Sequence, residues 1–300
     1  MKNVCIKKGI VLIIILLALF CVYSPSTGFK QDVKLLVFND GNILYVGGIG
    51  EGNYTKIQDA IDNASDGDTV FVYNGTYDEE HIGITNKSIN LVGENKNTTV
   101  IMNTSVWVFS SKNVIIHSFT IAKEGYPGDI NIHFLNCSNC IFYDNIAQST
   151  GYSFRCILIM DSSEIKVSKN YITSGSVSIS IDNSQNCIIQ NNYVIGNKNY
   201  LPDTGIWITG STNVTVFLNQ VSSYPFGIGI WSSKNVDVIQ NNLIRNIKNA
   251  DFRSKNLYKV SWDGNYWGRP RLLPHPIRGW FFIIPIIQFD WHPAKEPYDI

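Results

Sequence analysis

Asn113-Val-Ile-Ile, Asn139-Cys-Ile-Phe, Glu164-Ile-Lys-Val, Asn186-Cys-Ile-Ile, Asn213-Val-Thr-Val and Asn235-Val-Asp-Val are six versions of one phrase. Their starts lie 26, 25, 22, 27 and 22 residues apart, a period that belongs to a solenoid of stacked units. Ahead of each phrase runs a strand with two apolar residues two positions apart: Val106/Val108, Ile132/Phe134, Ile157/Ile159, Ile179/Ile181, Ile206/Ile208 and Ile228/Ile230. Side chains of a strand alternate between faces, so these pairs share one face, while Trp107, His133, Leu158, Ser180, Trp207 and Gly229 share the other.

Two further inward sets follow in every copy. The first is Val114/Ile116, Cys140/Phe142, Ile165/Val167, Cys187/Ile189, Val214/Val216 and Val236/Val238; the second is Ile121, Ala147, Ile172, Val194, Val221 and Leu243. Three inward faces per copy describe a coil of three short strands, each turn hydrogen-bonding in parallel to the next. A helical reading fails because the pattern has period two and Asn and Ser are abundant. Asn tolerates left-handed backbone, and its amide both donates and accepts. Asn113, Asn139, Asn186, Asn213 and Asn235 are therefore expected to stack at one corner, and Asn145, Asn170, Asn192, Asn219, Asn241 and Asn265 at the next.

The coil needs a lid, since its terminal turn exposes both core and strand edge. Ile57, Ala60, Ile61 and Ala64 have helical spacing and predict an amphipathic helix from about Tyr54 to Ala64 that caps the open end. Val70/Val72, Ile82/Ile84 and Ile89/Leu91 then begin the coil.

The segment Ile57-Gln-Asp-Ala-Ile-Asp-Asn-Ala-Ser-Asp-Gly-Asp-Thr-Val-Phe-Val, with Asn74-Gly-Thr-Tyr and Ser88-Ile-Asn-Leu-Val-Gly after it, resembles the entry of the right-handed parallel β-helix repeat proteins of prokaryotic cell surfaces, the group labelled NosD-like. Relatives of that group include carbohydrate-binding and sugar-hydrolase β-helices. The tail, from Gly264-Asn-Tyr-Trp-Gly to Asp290-Trp-His-Pro, is similar to the end of such domains, archaeal ones in particular. The resemblance covers residues from about 50 to 300. It implies an all-β, single-stranded right-handed parallel β-helix with a short N-terminal capping helix and an extended C-terminal tail. It implies little about activity, because this fold hosts lyases, hydrolases, epimerases and inert surface proteins alike.

The expected organisation is residues 1–28 as signal peptide or N-terminal anchor, 29–268 as the coil with its cap, and 269–300 as a C-terminal strap. Lys2, Lys7 and Lys8 precede an apolar run from Gly9 to about Tyr23, which is a signal-peptide layout and shorter than a comfortable membrane span. Export to the cell surface or exterior follows, with membrane attachment through that segment if it is retained. Formal net charge is +0, and no basic stripe points to nucleic acid.

Cys140 and Cys187 share an inward column two turns apart, roughly 9 to 10 Å, beyond disulfide reach. Cys137 falls in a Ser column and Cys156 in an outward column beside Asn131 and Ser178, so free thiols are expected. The NosD name carries a copper association, and Cys137-Ser-Asn-Cys140 has the spacing of a thiol pair. The register nevertheless aims Cys140 into the core and Cys137 at a corner, and His81, His117, His133, His275 and His292 are scattered. No metal and no cofactor are assigned.

Length variation falls on one edge, between the third strand of a turn and the first of the next. Its connections run Ala122–Asn131, Gln148–Cys156 and Ile195–Gly205, with short links at Thr173 and Ser222. Loops on a rigid solenoid are where binding concentrates. Flat aromatic faces stack on sugar rings, so Tyr126, Tyr152, Tyr200, Trp207, Tyr224 and Trp231 are the candidate ligand-binding residues, with polysaccharide or glycoprotein as the expected partner. Packing is the rival explanation, because the tail run Trp280-Phe-Phe-Ile-Ile-Pro-Ile-Ile is apolar enough to lie over this face.

Parallel β-helix lyases hold calcium with clustered carboxylates near a basic residue, and glycosidases use paired carboxylates. Asp129, Arg155, Asp161, Asp182 and Asp203 are the catalytic candidates. The expected function is therefore a non-catalytic, polysaccharide-binding surface or secreted protein. The alternatives are a polysaccharide lyase or glycoside hydrolase, and a structural or adhesive spacer whose loop-edge aromatics lie buried under the tail.

Overall fold

A computed structural model of the chain describes residues 41–125, 130–151, 155–174, 176–196, 203–254 and 260–300. The segment 1–28, read above as leader or anchor, lies outside the described residues, as do Tyr126, Asp129, Tyr152 and Tyr200.

Three sheets wrap around one core. Sheet I has ten strands from Ile43–Val46 to Val260–Asp263, sheet II has eight from Gly75–Tyr77 to Asn242–Ile244, and sheet III has ten from Ile82–Thr85 to Ile284–Asp290. The chain visits I, II and III in turn and repeats, so each strand pairs in parallel with its counterpart one turn away. The register is the one the repeats dictate. Trp107, His133, Leu158, Ser180, Trp207 and Gly229 stand opposite one another from strand to strand on sheet III. The inward residues beside them, Val106, Ile132, Ile157, Ile179, Ile206 and Ile228, are all fully buried.

The corners are where Asn does two jobs. Asn113, Asn139, Asn186, Asn213 and Asn235 have positive φ between 51° and 56°, a region that costs other L-residues more. Their amides bond along the stack, with Asn139 donating to Asn113 at 2.7 Å and Asn235 to Asn213 at 3.0 Å. Glu164 takes the same left-handed position (φ 57°) and interrupts that line.

The second column is buried, and its own backbone is not left-handed. The bend falls one residue earlier, at Asp144, Lys169, Asn191, Leu218, Gln240 and Gly264. This frees the side chains of Asn145, Asn170, Asn192, Asn219, Asn241 and Asn265 to turn inward. Asn192 is typical: its Nδ2 donates to the Val167 carbonyl and to Asn219 Oδ1, both at 2.9 Å, and its Oδ1 accepts the Asn170 backbone N–H at 3.0 Å. A parallel Ser column (Ser162, Ser184, Ser211, Ser233) accepts backbone N–H groups in the same manner. Cys137 occupies that column, and its thiol donates to the Val108 and Leu135 carbonyls.

The lid is the helix α1 (Ile57–Asn63), with Ile57, Ala60 and Ile61 buried. Coil residues satisfy both of its ends. The Glu79 carboxylate accepts the N–H groups of Ile57 and Gln58 at 2.6 and 3.0 Å, and the Lys87 ammonium donates to the carbonyls of Ile61, Asp62 and Ala64 at 2.6 to 2.8 Å. One strand precedes this lid: Ile43–Val46 pairs in parallel with Thr69–Val72, so sheet I starts a strand earlier than the repeats indicate.

The tail has strands of its own. It forms a hairpin, His275–Phe281 against Ile284–Asp290, and the first of these strands pairs in parallel with Lys248–Ser254. The tail thus extends sheet III edgewise. It also ends the buried Asn column, because the fully buried Asp290 carboxylate accepts the N–H groups of Gly264 and Asn265 and the indole N–H of Trp267, at 2.9 to 3.1 Å.

Candidate functional site

The outer face of sheet III carries the densest chemistry among the described residues. Two columns form it: Trp107, His133, Leu158, Ser180, Trp207, Gly229 and Asp251, and beside them Phe109, Leu135, Met160, Asp182, Thr209, Trp231 and Arg253. In the middle, Arg155 reaches one strand across to Asp182 (Nη2 to Oδ2, 3.1 Å), and the Ser180 hydroxyl donates to the other carboxylate oxygen at 2.8 Å. Both charged side chains are mostly buried, so the pair is a fixed polar centre and not a loose surface contact.

Aromatic side chains flank it on both sides. Toward the C-terminal end, the Trp207 and Trp231 rings lie 4.6 Å apart at 56°, and the Arg253 guanidinium carbon sits 4.7 Å from the Trp231 ring centre. The close approach depends on Gly229, because a Cβ there would meet Trp207 Cε3 at 2.7 Å. Toward the N-terminal end, Trp107 is 44% exposed and stands edge-on to His133 at 5.0 Å. Neither ring nitrogen of the buried His133 has a hydrogen-bond partner among the described residues. Burial, and then the nearby Arg155 charge, lower its pKa below the ordinary histidine value.

Four of the sequence-derived candidates therefore meet here: Arg155, Asp182, Trp207 and Trp231. Three others do not. Tyr224 is 1% exposed, its hydroxyl bonded to Ser178, and burial holds its proton far above the usual tyrosine range. It is a core residue, out of reach of a ligand. Cys156, expected on the outer face, shares that interior, where burial pushes its thiol up to about 12. The cause is local: Asn131, Cys156 and Ser178 sit at the start of their strands, where the chain comes off the II–III corner, and the three are buried.

Asp161 and Asp182 are neighbours through the backbone, with the Asp161 N–H donating to the Asp182 carbonyl at 3.1 Å. Asp161, however, turns the corner at φ 49° and lines a separate cavity of about 540 Å³ with Asn136, Cys137, Asn183, Gly210 and Thr212. Asp203 is exposed at the edge, its backbone bonded to Ser176 and Phe226. The other carboxylate of the face, Asp251, is three strands from Asp182 and held by Lys248. Three strand spacings are about 14 Å, more than the roughly 5 to 9.5 Å between the carboxyl groups of glycosidases.

His133, Gly229, Asp251 and Arg253 were missed as site residues. The outward register already placed His133 and Gly229, so the signal was in the columns and not in residue type.

Metal donors are sparse. No group of three or more His, Cys, Asp or Glu comes together among the described residues. Cys137 and Cys140 touch, but both are buried and hydrogen-bonded to backbone carbonyls. The contact lowers the Cys137 thiol and, with burial, drives the Cys140 thiol far above the usual range, so Cys140 keeps its proton. A buried pair with one resistant thiol is a poor fit to a copper ion, which binds thiolate.

No curated protein matches the chain. Among solved structures, tailspike protein 2 of an Escherichia coli O157:H7 bacteriophage is similar with a TM-score of 0.54 at 10% identity, over 76% of this chain and 35% of that one. The enzymatically active domain of bacteriophage CBA120 tailspike protein 2 gives 0.50 at 13% identity, over 81% of this chain and 44% of that one. The chain thus spans less than half of the tailspike chains it matches, and at these identities the likeness is one of fold. A family model described as periplasmic copper-binding protein (NosD) matches residues 61–272, more than two-thirds of the chain, and the protein belongs to that family.

Proposed function

We propose that this protein is an exported, non-catalytic β-helix that binds polysaccharide or the glycan of a glycoprotein along the outer face of sheet III. The observation that carries this reading is the half-exposed Trp207–Trp231 pair beside the buried Arg155–Asp182 centre. Stacking rings next to fixed donors and acceptors is how a protein holds a sugar chain without reacting with it. Export agrees with the periplasmic description of the family and with the apolar run behind Lys2, Lys7 and Lys8. The copper in the family's description finds little support in the donor set above.

The spacer reading asks the tail to bury the aromatics, and the edgewise hairpin leaves Trp107 open. A hydrolase reading asks for a closer pair of carboxylates than Asp182 and Asp251. The test is a glycan-array screen of the full chain, followed by titration of the best polysaccharide against Trp207→Ala and Trp231→Ala. Each variant is expected to lower affinity about tenfold, the loss of one sugar-ring stacking contact of roughly 1 to 1.5 kcal/mol. Unchanged affinity in both would remove the site.

A further inference from the structure

The C-terminal hairpin ends in an apolar tip that folding does not explain. Its two strands, His275–Phe281 and Ile284–Asp290, pair from His275 opposite Asp290 to Phe281 opposite Ile284, leaving Phe282 and Ile283 as the two-residue turn. Such turns normally use Asn, Asp or Gly, because a residue with positive φ is needed. Here Phe282 takes φ 52°, a costly conformation for a bulky side chain. Phe282, Ile283 and Ile284 are exposed by 61%, 87% and 57%. The next row back is Trp280 opposite Pro285, with Trp280 also exposed. A convex, aromatic, four-residue apolar point at the end of a solenoid is shaped to enter something and not to receive it.

The charges behind the tip say what it enters. From Gly264 to Phe289 the sequence has three arginines and no acidic residue. Arg278 is exposed on the hairpin, opposite Ile287, and Arg253 stands beside Trp280 in the neighbouring strand. Asp251 holds Lys248 through one carboxylate oxygen and stands 3.7 Å from Arg253 Nε through the other, so Arg278 is the exposed cation of the hairpin itself. At about 3.4 Å per residue, three to four residues separate Arg278 from the end of the turn by roughly 10 to 14 Å. Interfacial segments bury their apolar side about 5 to 10 Å deep, so a tip submerged to Trp280 sets Arg278, two residues farther back on the strand, at the level of lipid phosphates. Growth of the sheet by a second copy is the competing use of an edge strand. Pro285 lies on that edge and removes one N–H from the row a second strand would need.

We propose that the hairpin tip, Trp280 to Ile284, is a membrane-docking point that inserts into the headgroup region of a bilayer bearing anionic phospholipid, with Arg278 contacting the phosphates. Trp280 continues the second column of the outer face beyond Trp231 and Arg253, while Phe282 and Ile283 lie past it in the turn, so the docking point borders the glycan face without resting on glycan binding. The experiment adds the full chain to vesicles of phosphatidylcholine, with or without phosphatidylglycerol, that carry a bromine-labelled acyl chain. Tryptophan quenching is expected only with the anionic mixture and is expected to fall at least about fivefold in Trp280→Phe. The double variant Phe282→Ser/Ile283→Ser changes only exposed side chains, so it should keep the native melting temperature while losing the quench. Arg278→Gln should weaken binding about threefold and reduce its salt sensitivity. Quenching that persists undiminished in both the Trp280 and the double variants would overturn the proposal, since lipid would then be met elsewhere on the chain. So would a dimer of the wild type, dissolved by the double variant, in the absence of any quench.

Discussion

Asn192 shows what a single ladder residue contributes. Its amide satisfies the Val167 carbonyl and the Asn170 N–H, neither of which has access to water at a fully buried corner. Asn192→Ala leaves both unpaired, at about 1 to 3 kcal/mol each, so a loss of about 3 kcal/mol or more is expected by urea denaturation. Glu164 is the reverse case. It has the left-handed backbone of the outer Asn column but no amide to join Asn139 to Asn186. Glu164→Asn should therefore add about 0.5 to 1 kcal/mol, read as a raised denaturation midpoint at unchanged slope. The ladders were legible in the sequence because Asn recurs at fixed offsets. Tyr224 was not, since a tyrosine at a loop edge reads the same whether it faces solvent or, as here, turns under the corner to bond Ser178.

The elements differ in how plainly their residues announce them. α1 was readable from the spacing of Ile57, Ala60, Ile61 and Ala64, and the strands from period-two alternation. Ile43–Val46 was missed because it lies ahead of the lid, outside the run of repeats. The hairpin was hidden for another reason: Trp280 to Ile287 contains no Gly, Asn or Asp to mark a turn. Its base also has a pH signature. His275 packs 4.1 Å from Trp267, and burial, then Arg271 and Arg269, depress its pKa from 6.5 to about 4. The unfolded chain takes up this proton first, so the contribution is complete above pH 6.5 and is lost as pH falls toward 4. Burial also lowers the pKa of His133 and His117, which act in the same direction. The melting temperature is expected to fall across that window, and His275→Gln to flatten part of the fall. An unchanged acid slope in the variant would show that the hairpin does not set it.

At the scale of the whole molecule, each turn is held mainly by the turns above and below it, and stability approximates a sum over neighbours. That arrangement makes the two ends the special places. At one end α1 covers the apolar interior. At the other, the buried Asn column hands its last donors to Asp290, whose carboxylate also takes the indole N–H of Trp267. Every amide before it passes a donor on to the next turn, but a carboxylate has none to pass. The line of hydrogen bonds therefore has a stop written into it. The consequence is a repeat with a defined last member: a further turn laid on this end would meet a buried acceptor that already holds its donors and has no N–H to give.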